Sequence, residues 1–534
     1  MITSDTAQSL EQQAIRYLQA ADMKSAITVC EQLNRRFTDY APGWFLSAQV
    51  ASSINNVNAA LTCIHRALTH APDNIGYRLF EAKLRYQKGD HQAVNQILDN
   101  LPVNQITEAH LWAELALIEN LVGRTQSSAQ HYQQALSLAP DNAGIHFNLA
   151  SVQRYLGKLA DAEEHLEKAI ALNPTDAEAH LLLSSLDKQT AASNHIERLQ
   201  RTLQQHADNL PLLARSQLHY ALAKELEDTQ QYPASFDALR QGATLKRQNM
   251  QYQPENDIAT LHKLGEVFNR DWLQQPPCGE PSEEPIFILG LPRTGSTLVE
   301  RILSAHSDVH SAGELNNFSL VMMAQCKAAN PTPPASKLDL VERTAQLDMQ
   351  QLGRAYIDST RPDTGHTKHF IDKLPLNSLN LGLISQALPK AKLIYVKRHP
   401  MDTCYAIYKQ LFTQGYPFSY DLTELANYYI AHHQLMQHWQ QALGDRLLTV
   451  NYEGLVAHLQ PEVERLLDYC GLPWQDACLA FYQQDTAAKT ASATQVRQPV
   501  YSGSVGKWKA YAEQLAPLRR ALTEAGIRCD EHAP

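Results

Sequence analysis

"ILGLPRTGSTLVERIL", residues 288–303, joins an apolar run to an amphipathic segment through a glycine-bounded turn. Ile286 to Leu289 read as a strand, Gly290 opens a tight turn, and from Thr297 onward the apolar residues recur at helical spacing. Such a turn aims successive backbone N–H groups and a helix N-terminus at one point, which is how proteins cradle phosphate. Gly290 and Gly295 keep the glycine spacing of the G-x-x-x-x-G-K-[ST] signature, but Ser296 stands at the lysine position. A kinase or ATPase must neutralise about four charges on a triphosphate, using that lysine and a magnesium ion held by an Asp after a hydrophobic strand. Here the best candidate strand, KLIYVK (392–397), runs into Lys397-Arg398 instead. Both departures predict an anion of lower charge handled without a metal, such as a phosphosulfate.

Working outward from the loop, short β-like runs recur at PIFILG (285–290), HFID (369–372), KLIYVK (392–397) and RLLTV (446–450). Helical segments at 378–388, 400–411, 422–442 and 460–471 separate them. Strands alternating with helices predict a parallel sheet flanked by helices, an α/β P-loop-like domain over 285–534 with its ligand beyond the carboxyl ends of the strands. The proline-rich stretch QQPPCGEPSEEP (274–285) marks a linker, and 251–284 reads as a connecting helix plus that linker.

Before the linker the grammar changes. "PDN" at 72–74, "PDN" at 140–142 and "PTD" at 174–176 are offset by 68 and 34 residues, and 34 is the period of the tetratricopeptide (TPR) repeat. The units 41–74, 109–142 and 143–176 carry small residues where paired helices approach (Ala48, Ala116, Ala150) and proline at the close (Pro72, Pro140, Pro174). Proline ends each unit because it cannot continue a helix. Residues 75–106 fit the pattern loosely, the repeat before Pro42 is degenerate, and 210–250 read as a last helical hairpin. The expectation is an all-α TPR solenoid over 1–250, whose concave face takes a peptide or protein or else joins two copies into a homo-oligomer.

The bulk numbers narrow the class. A chain of 534 residues, 44% hydrophobic and 19% charged, has material for roughly three or four domain-sized units. A net charge of −10 argues against nucleic acid as a partner. No stretch reaches ~18 uninterrupted apolar residues, so no membrane span is expected, and the N-terminus has no apolar core of a signal peptide. Eight scattered cysteines without a C-x-x-C pair point to a reducing compartment, hence the cytoplasm, and away from a metal site.

Two separated motifs resemble the sulfotransferases that use 3′-phosphoadenosine 5′-phosphosulfate (PAPS) as co-substrate. LPRTGSTLVERIL is similar to the P-R-S-G-T-T loop of protein-tyrosine sulfotransferases, and YVKRHPMDTCYAIYKQ resembles the segment that binds the nucleotide's 3′-phosphate. The joined arrangement looks like a bacterial class of TPR-linked sulfotransferases. The resemblance covers roughly 281–512 and implies that Arg293, Thr294, Gly295, Ser296 and Thr297 bind the 5′-phosphosulfate and Arg398 the 3′-phosphate. It makes Glu314, which follows Gly313 and stands 21 residues after Arg293, the general base. A phenol, with a pKa of ~10, can surrender its proton to such a carboxylate. His306 and His310 are nearby rivals for that role.

It further makes Lys373 the donor to the bridging oxygen, Ser492 a neighbour of the sulfuryl group, and Tyr452 and Lys507 nucleotide contacts, with Trp508 a packing anchor. The sequence departs from the family at Ala406, where a serine binds the 3′-phosphate, and at Gln410, where a base is expected; Thr403 and Lys409 are candidate substitutes. The implied activity is metal-free sulfuryl transfer from PAPS to a hydroxyl, with tyrosine of a peptide or protein favoured by the glutamate base and the repeats. A small molecule, glycan or lipid acceptor would need the same residues. A kinase with an unusual loop, or a TPR scaffold with a degenerate nucleotide-binding domain, are the competing readings.

Overall fold

The computed structural model describes residues 6–276, 278–483 and 503–529. The chain divides into two compact units, Met1–Pro174 and Thr175–Pro534.

In the first unit, helices pair as antiparallel hairpins: Ala7–Gln19 with Met23–Arg36, Ala41–Ser53 with Val57–His70, Ile75–Gln87 with His91–Asp99, Ala109–Leu121 with Thr125–Leu138, and Ala143–Tyr155 with Leu159–Leu172. The PDN motif has a local cause. Its proline follows one helix, and its asparagine caps the next: Asn74 accepts from Tyr77 N–H, and Asn142 from Ile145 N–H. Such caps contribute about 1 kcal/mol each by satisfying a donor that the helix itself cannot. Ala48, Ala82, Ala116 and Ala150 are fully buried, so the paired helices approach closely there. The loosely fitting segment 75–106 folds as a hairpin like the others, with Val94 and Leu98 supplying the core where the consensus residues are missing.

The second unit is built on a five-stranded, all-parallel sheet: β1 (Pro285–Gly290), β2 (Val309–Ser311), β3 (His369–Lys373), β4 (Lys392–Lys397) and β5 (Leu447–Asn451), in the order β2-β3-β1-β4-β5. The central strands β1 and β4 read as near-continuous apolar runs because both faces are covered. One face packs Ile286, Ile288, Ile371, Ile394 and Val450 against Val299 and Ile302 of the helix after the loop and Val463 and Leu466 of the helix Leu459–Cys470. The other face buries Phe287, Leu289, Phe370 and Tyr395.

That second core extends into the hairpin Leu212–Asp228 and Tyr232–Gln248, whose Leu218, Leu222, Phe236 and Leu239 belong to it. Tyr220 OH donates to Tyr408 O at 3.1 Å, and Arg247 grips Glu424 through two guanidinium nitrogens, each at 2.9 Å. The hairpin that reads as a last repeat, within the 1–250 span of the sequence reading, therefore lies in the same unit as the sheet. Its apolar face is spent on the sheet's covering layer. No described helix is long and apolar enough to cross a membrane.

Candidate functional site

β1 is wholly buried and ends at Gly290, where the chain must turn under β4. A Cβ at Gly290, at φ +145°, would lie 2.6 Å from Val396 O, so only glycine fits. Thr294 Oγ1 donates to Leu291 O at 2.8 Å and braces the turn. Arg293 adopts φ +66°, a left-handed conformation uncommon for a side chain with Cβ and concentrated at functional sites. Gly295, at φ +101°, carries the backbone into the helix Ser296–Ser304, and a Cβ there would meet the Tyr452 ring at 2.4 Å. The result is a tight loop whose backbone leads into a helix N-terminus, with Thr294 and Ser296 buried and Arg293 and Thr297 half-buried beside it.

A second layer closes over this loop. Arg398, immediately after β4, donates from Nη1 to Arg293 O at 3.0 Å and from Nη2 to Ser504 O at 2.6 Å. Its guanidinium lies 4.9 Å from the centroid of the Tyr452 ring, whose hydroxyl pairs with Ser504 Oγ at 2.7 Å. Asp402, buried on the first turn of the helix Pro400–Tyr408, accepts from Gly506 N at 2.6 Å and from Trp508 N at 3.1 Å. The Trp508 ring stacks on His399 with 5.8 Å between centroids and 6° between planes. Arg293, Thr294, Gly295, Arg398, Tyr452 and the backbone around Lys507 are thus one assembly, though they span more than two hundred positions. Trp508 is 6% exposed, in keeping with a packing anchor.

At the carboxyl end of β3, Lys373 N donates to Gly313 O at 2.9 Å, which draws the segment after β2 alongside and brings Glu314 to the lysine. The Lys373 side chain is 2% exposed and its Nζ contacts Glu314 Oε1; Glu300 Oε2 lies 3.7 Å away on the other side. Ser311 Oγ holds Glu300 Oε1 at 2.6 Å. Glu314 keeps a 51% exposed side chain, so one carboxylate of the pair faces solvent and the other is enclosed. Next to Lys373, the buried Asp372 accepts from Tyr356 OH at 2.9 Å and Asn377 Nδ2 at 3.1 Å, yet burial pushes its carboxyl up to about 7.

Both histidines near Glu314 are engaged elsewhere. His306 is buried, with Nε2 at 3.0 Å from Pro473 O and Nδ1 accepting from Asp308 N at 3.0 Å. His310 Nε2 lies 3.0 Å from Asp363 O. Ala406 is buried on the helix that follows Arg398, and Gln410 turns its amide to Leu411 O at 3.2 Å. Ser492 lies outside the described residues. Asp402, Glu300 and Asp372 form part of this architecture without a motif to announce them. The one cue in the sequence was the placement of an acid on the first turn after Pro400, or beside the strand-end lysine.

Residues 285–476 match the family described as "Sulfotransferase family", and residues 121–186 match a tetratricopeptide repeat profile. An uncharacterized protein of Aquifex aeolicus (strain VF5) is 31% identical over 324 residues, 59% of this chain and 42% of that protein. A protein-tyrosine sulfotransferase of Drosophila melanogaster is 23% identical over 241 residues, 42% of this chain and 46% of that one. The chain therefore spans less than half the length of these two relatives. Among solved structures, the sulfotransferase domain of the Synechococcus PCC 7002 olefin synthase is 20% identical, with a TM-score of 0.34 over 49% of this chain and 99% of that one. The lysine-free loop, the strand-end arginine and lysine, and the matching profile converge: residues 285–476 form a domain of the sulfotransferase family, which this chain joins to tetratricopeptide repeats.

Proposed function

We propose that the chain transfers the sulfuryl group of PAPS to a hydroxyl acceptor, with tyrosine in a peptide or protein as the acceptor. The observation that carries this reading is the Lys373–Glu314 pair, set at the carboxyl edge of the sheet beside a phosphate loop that lacks its lysine. In this reading the loop amides, Ser296, Thr297 and Arg293 hold the phosphosulfate. Lys373 donates to the bridging oxygen as the bond between that oxygen and sulfur breaks. Glu314 takes the acceptor's hydroxyl proton as the acceptor oxygen bonds to sulfur. Glu300 leaves Lys373 a carboxylate neighbour when Glu314 turns to the acceptor. Arg398, Tyr452 and Lys507 hold the rest of the nucleotide, and Ser492 is proposed as a further neighbour of the sulfuryl group. Tetratricopeptide repeats generally mediate protein interactions, which supports a protein acceptor presented through the first unit.

Calorimetric titration with 3′-phosphoadenosine 5′-phosphate, against ATP with magnesium, tests the donor. Preferential binding of the bisphosphate without metal is expected, and preference for Mg·ATP would sink the reading. Glu314→Gln should lower transfer to tyrosine peptides by at least about a hundredfold, the upper part of what a general base contributes being larger still. Its bisphosphate affinity should stay within about twofold. Equal loss of both would remove Glu314 as the base.

A further inference from the structure

Opposite the loop, a carboxylate from the helical hairpin reaches into the basic side of the site. Glu227, near the end of the helix Leu212–Asp228, is 9% exposed at its side chain and contacts Nζ of both Lys409 and Lys507, the former at 2.9 Å. Tyr405 OH donates to its Oε2, and Tyr511 OH lies 3.3 Å from the same oxygen. Two hydroxyls and two ammonium groups thus converge on one buried carboxylate. Each donor comes from a segment that also builds the anion site. Tyr405 and Lys409 belong to or end the helix that follows Arg398, and Lys507 and Tyr511 lie in the segment pinned by Asp402. Arg293 lies close enough to act on Lys409 electrostatically, which sets the lysine pair beside the phosphate loop.

We propose that Lys409 and Lys507 form a paired-lysine grip on a phosphate of the bound nucleotide, and that Glu227 is the positioning residue that sets both ammonium groups. The proposal rests on the nucleotide reading of the site given above. It assigns a binding role to Lys409, which lies three positions after Ala406 and so on the same side of that helix turn, where a hydroxyl donor is missing. It also makes the hairpin a wall of the site. A carboxylate is suited to the task because lysine is a flexible point charge whose ordering must be supplied by a neighbour.

The electrostatics agree. Burial penalises the charge on Glu227, but Lys409 and Lys507 overcome the penalty and bring its pKa down to about 2. Burial brings Lys409 down to about 8, with Glu227 opposing the drop and Lys507 and Arg293 adding to it. The groups facing Lys409 are therefore Glu227, Lys507, Arg293 and the Tyr405 ring, with Tyr511 on the far side of the carboxylate and Asp228 near Lys507. Lys409 is charged below about pH 8. Removing Glu227 takes away the group that opposes the drop, so its charge is lost at lower pH.

The test is calorimetry of the full chain with 3′-phosphoadenosine 5′-phosphate between pH 6 and 9. For the wild type, affinity should begin to fall near pH 8. Lys409→Met should weaken binding about tenfold or more, the cost of a lost charge-assisted contact. Glu227→Gln should weaken it several-fold at pH 7.5 and move the onset of the fall below pH 8, and Glu227→Asp should restore both in part. Unchanged affinity and pH profile in Lys409→Met and Glu227→Gln would overturn the proposal while leaving the nucleotide site standing. Tighter binding by Glu227→Gln would also overturn it, since the carboxylate would then be a competitor. Failure of the wild type to bind would remove the nucleotide reading itself. If Glu227→Gln does not fold, Lys409→Met decides alone.

Discussion

A carboxyl group enclosed on every side, as Asp372 is, favours its protonated form. Its folded-state pKa of about 7, raised by burial against an ordinary value of 3.8, means that the native chain binds a proton that the unfolded chain has released. Stability should therefore fall as pH rises from about 4 through about 7, by on the order of 4 kcal/mol at most. Asp372→Asn, which keeps the shape and cannot ionise, should flatten that slope; urea melts at pH 5 and pH 8 measure it. At this scale the legible candidate residues were those on local motifs. Arg293, Ser296 and Arg398 announce themselves because a loop or strand end carries its chemistry in a few consecutive residues. Glu227 could not be read, because its partner Lys409 is 182 positions away and nothing near Glu227 differs from an ordinary helix surface. Asp402 offered only its place on the first turn after Pro400, and Glu300 was silent, each acting on atoms that only the fold brings near.

The helix Pro400–Tyr408 works at both ends, pinning residues 506–508 through Asp402 and turning Lys409 toward Glu227. Asp402→Ala removes two acceptors from backbone N–H groups of which the Trp508 amide is buried, a loss of about 1–3 kcal/mol for such groups. We expect a roughly tenfold weaker bisphosphate complex, with the loop helix and sheet intact by circular dichroism. Four strands were legible as elements within a residue or so, since each has a short apolar stretch, longest in the central β1 and β4, which are buried on both faces. β2 was not, because three residues, one of them exposed and one half-exposed, carry no periodicity. It exists because its backbone pairs with β3 (Val309 beside His369, Ser311 beside Ile371), and that pairing carries Gly313 and Glu314 to Lys373.

For the whole molecule, the decisive cut lies between 174 and 250. The helical hairpin 212–248 has the composition of a repeat, and composition cannot say which neighbour its apolar face will meet. Leu218, Leu222, Phe236 and Leu239 in the sheet-side core are together worth about 6–12 kcal/mol of burial, comparable with the net stability of a domain. Residues 175–534 expressed alone should fold and bind the bisphosphate as the full chain does, whereas 251–534 should be insoluble or molten. Near-ultraviolet circular dichroism and the same titration distinguish the two.

The carboxylate that meets both lysines has a further consequence during synthesis. Glu227 leaves the ribosome about 280 residues ahead of Lys507, an interval on the order of 15 to 55 seconds at ordinary translation rates. Through that interval the hairpin presents an acid with no lysine to meet it, and the phosphate loop emerges with its closing segment still unmade. On the proposed reading, nascent chains short of residue 507 lack one lysine of the grip, and affinity for the bisphosphate should arrive late in synthesis.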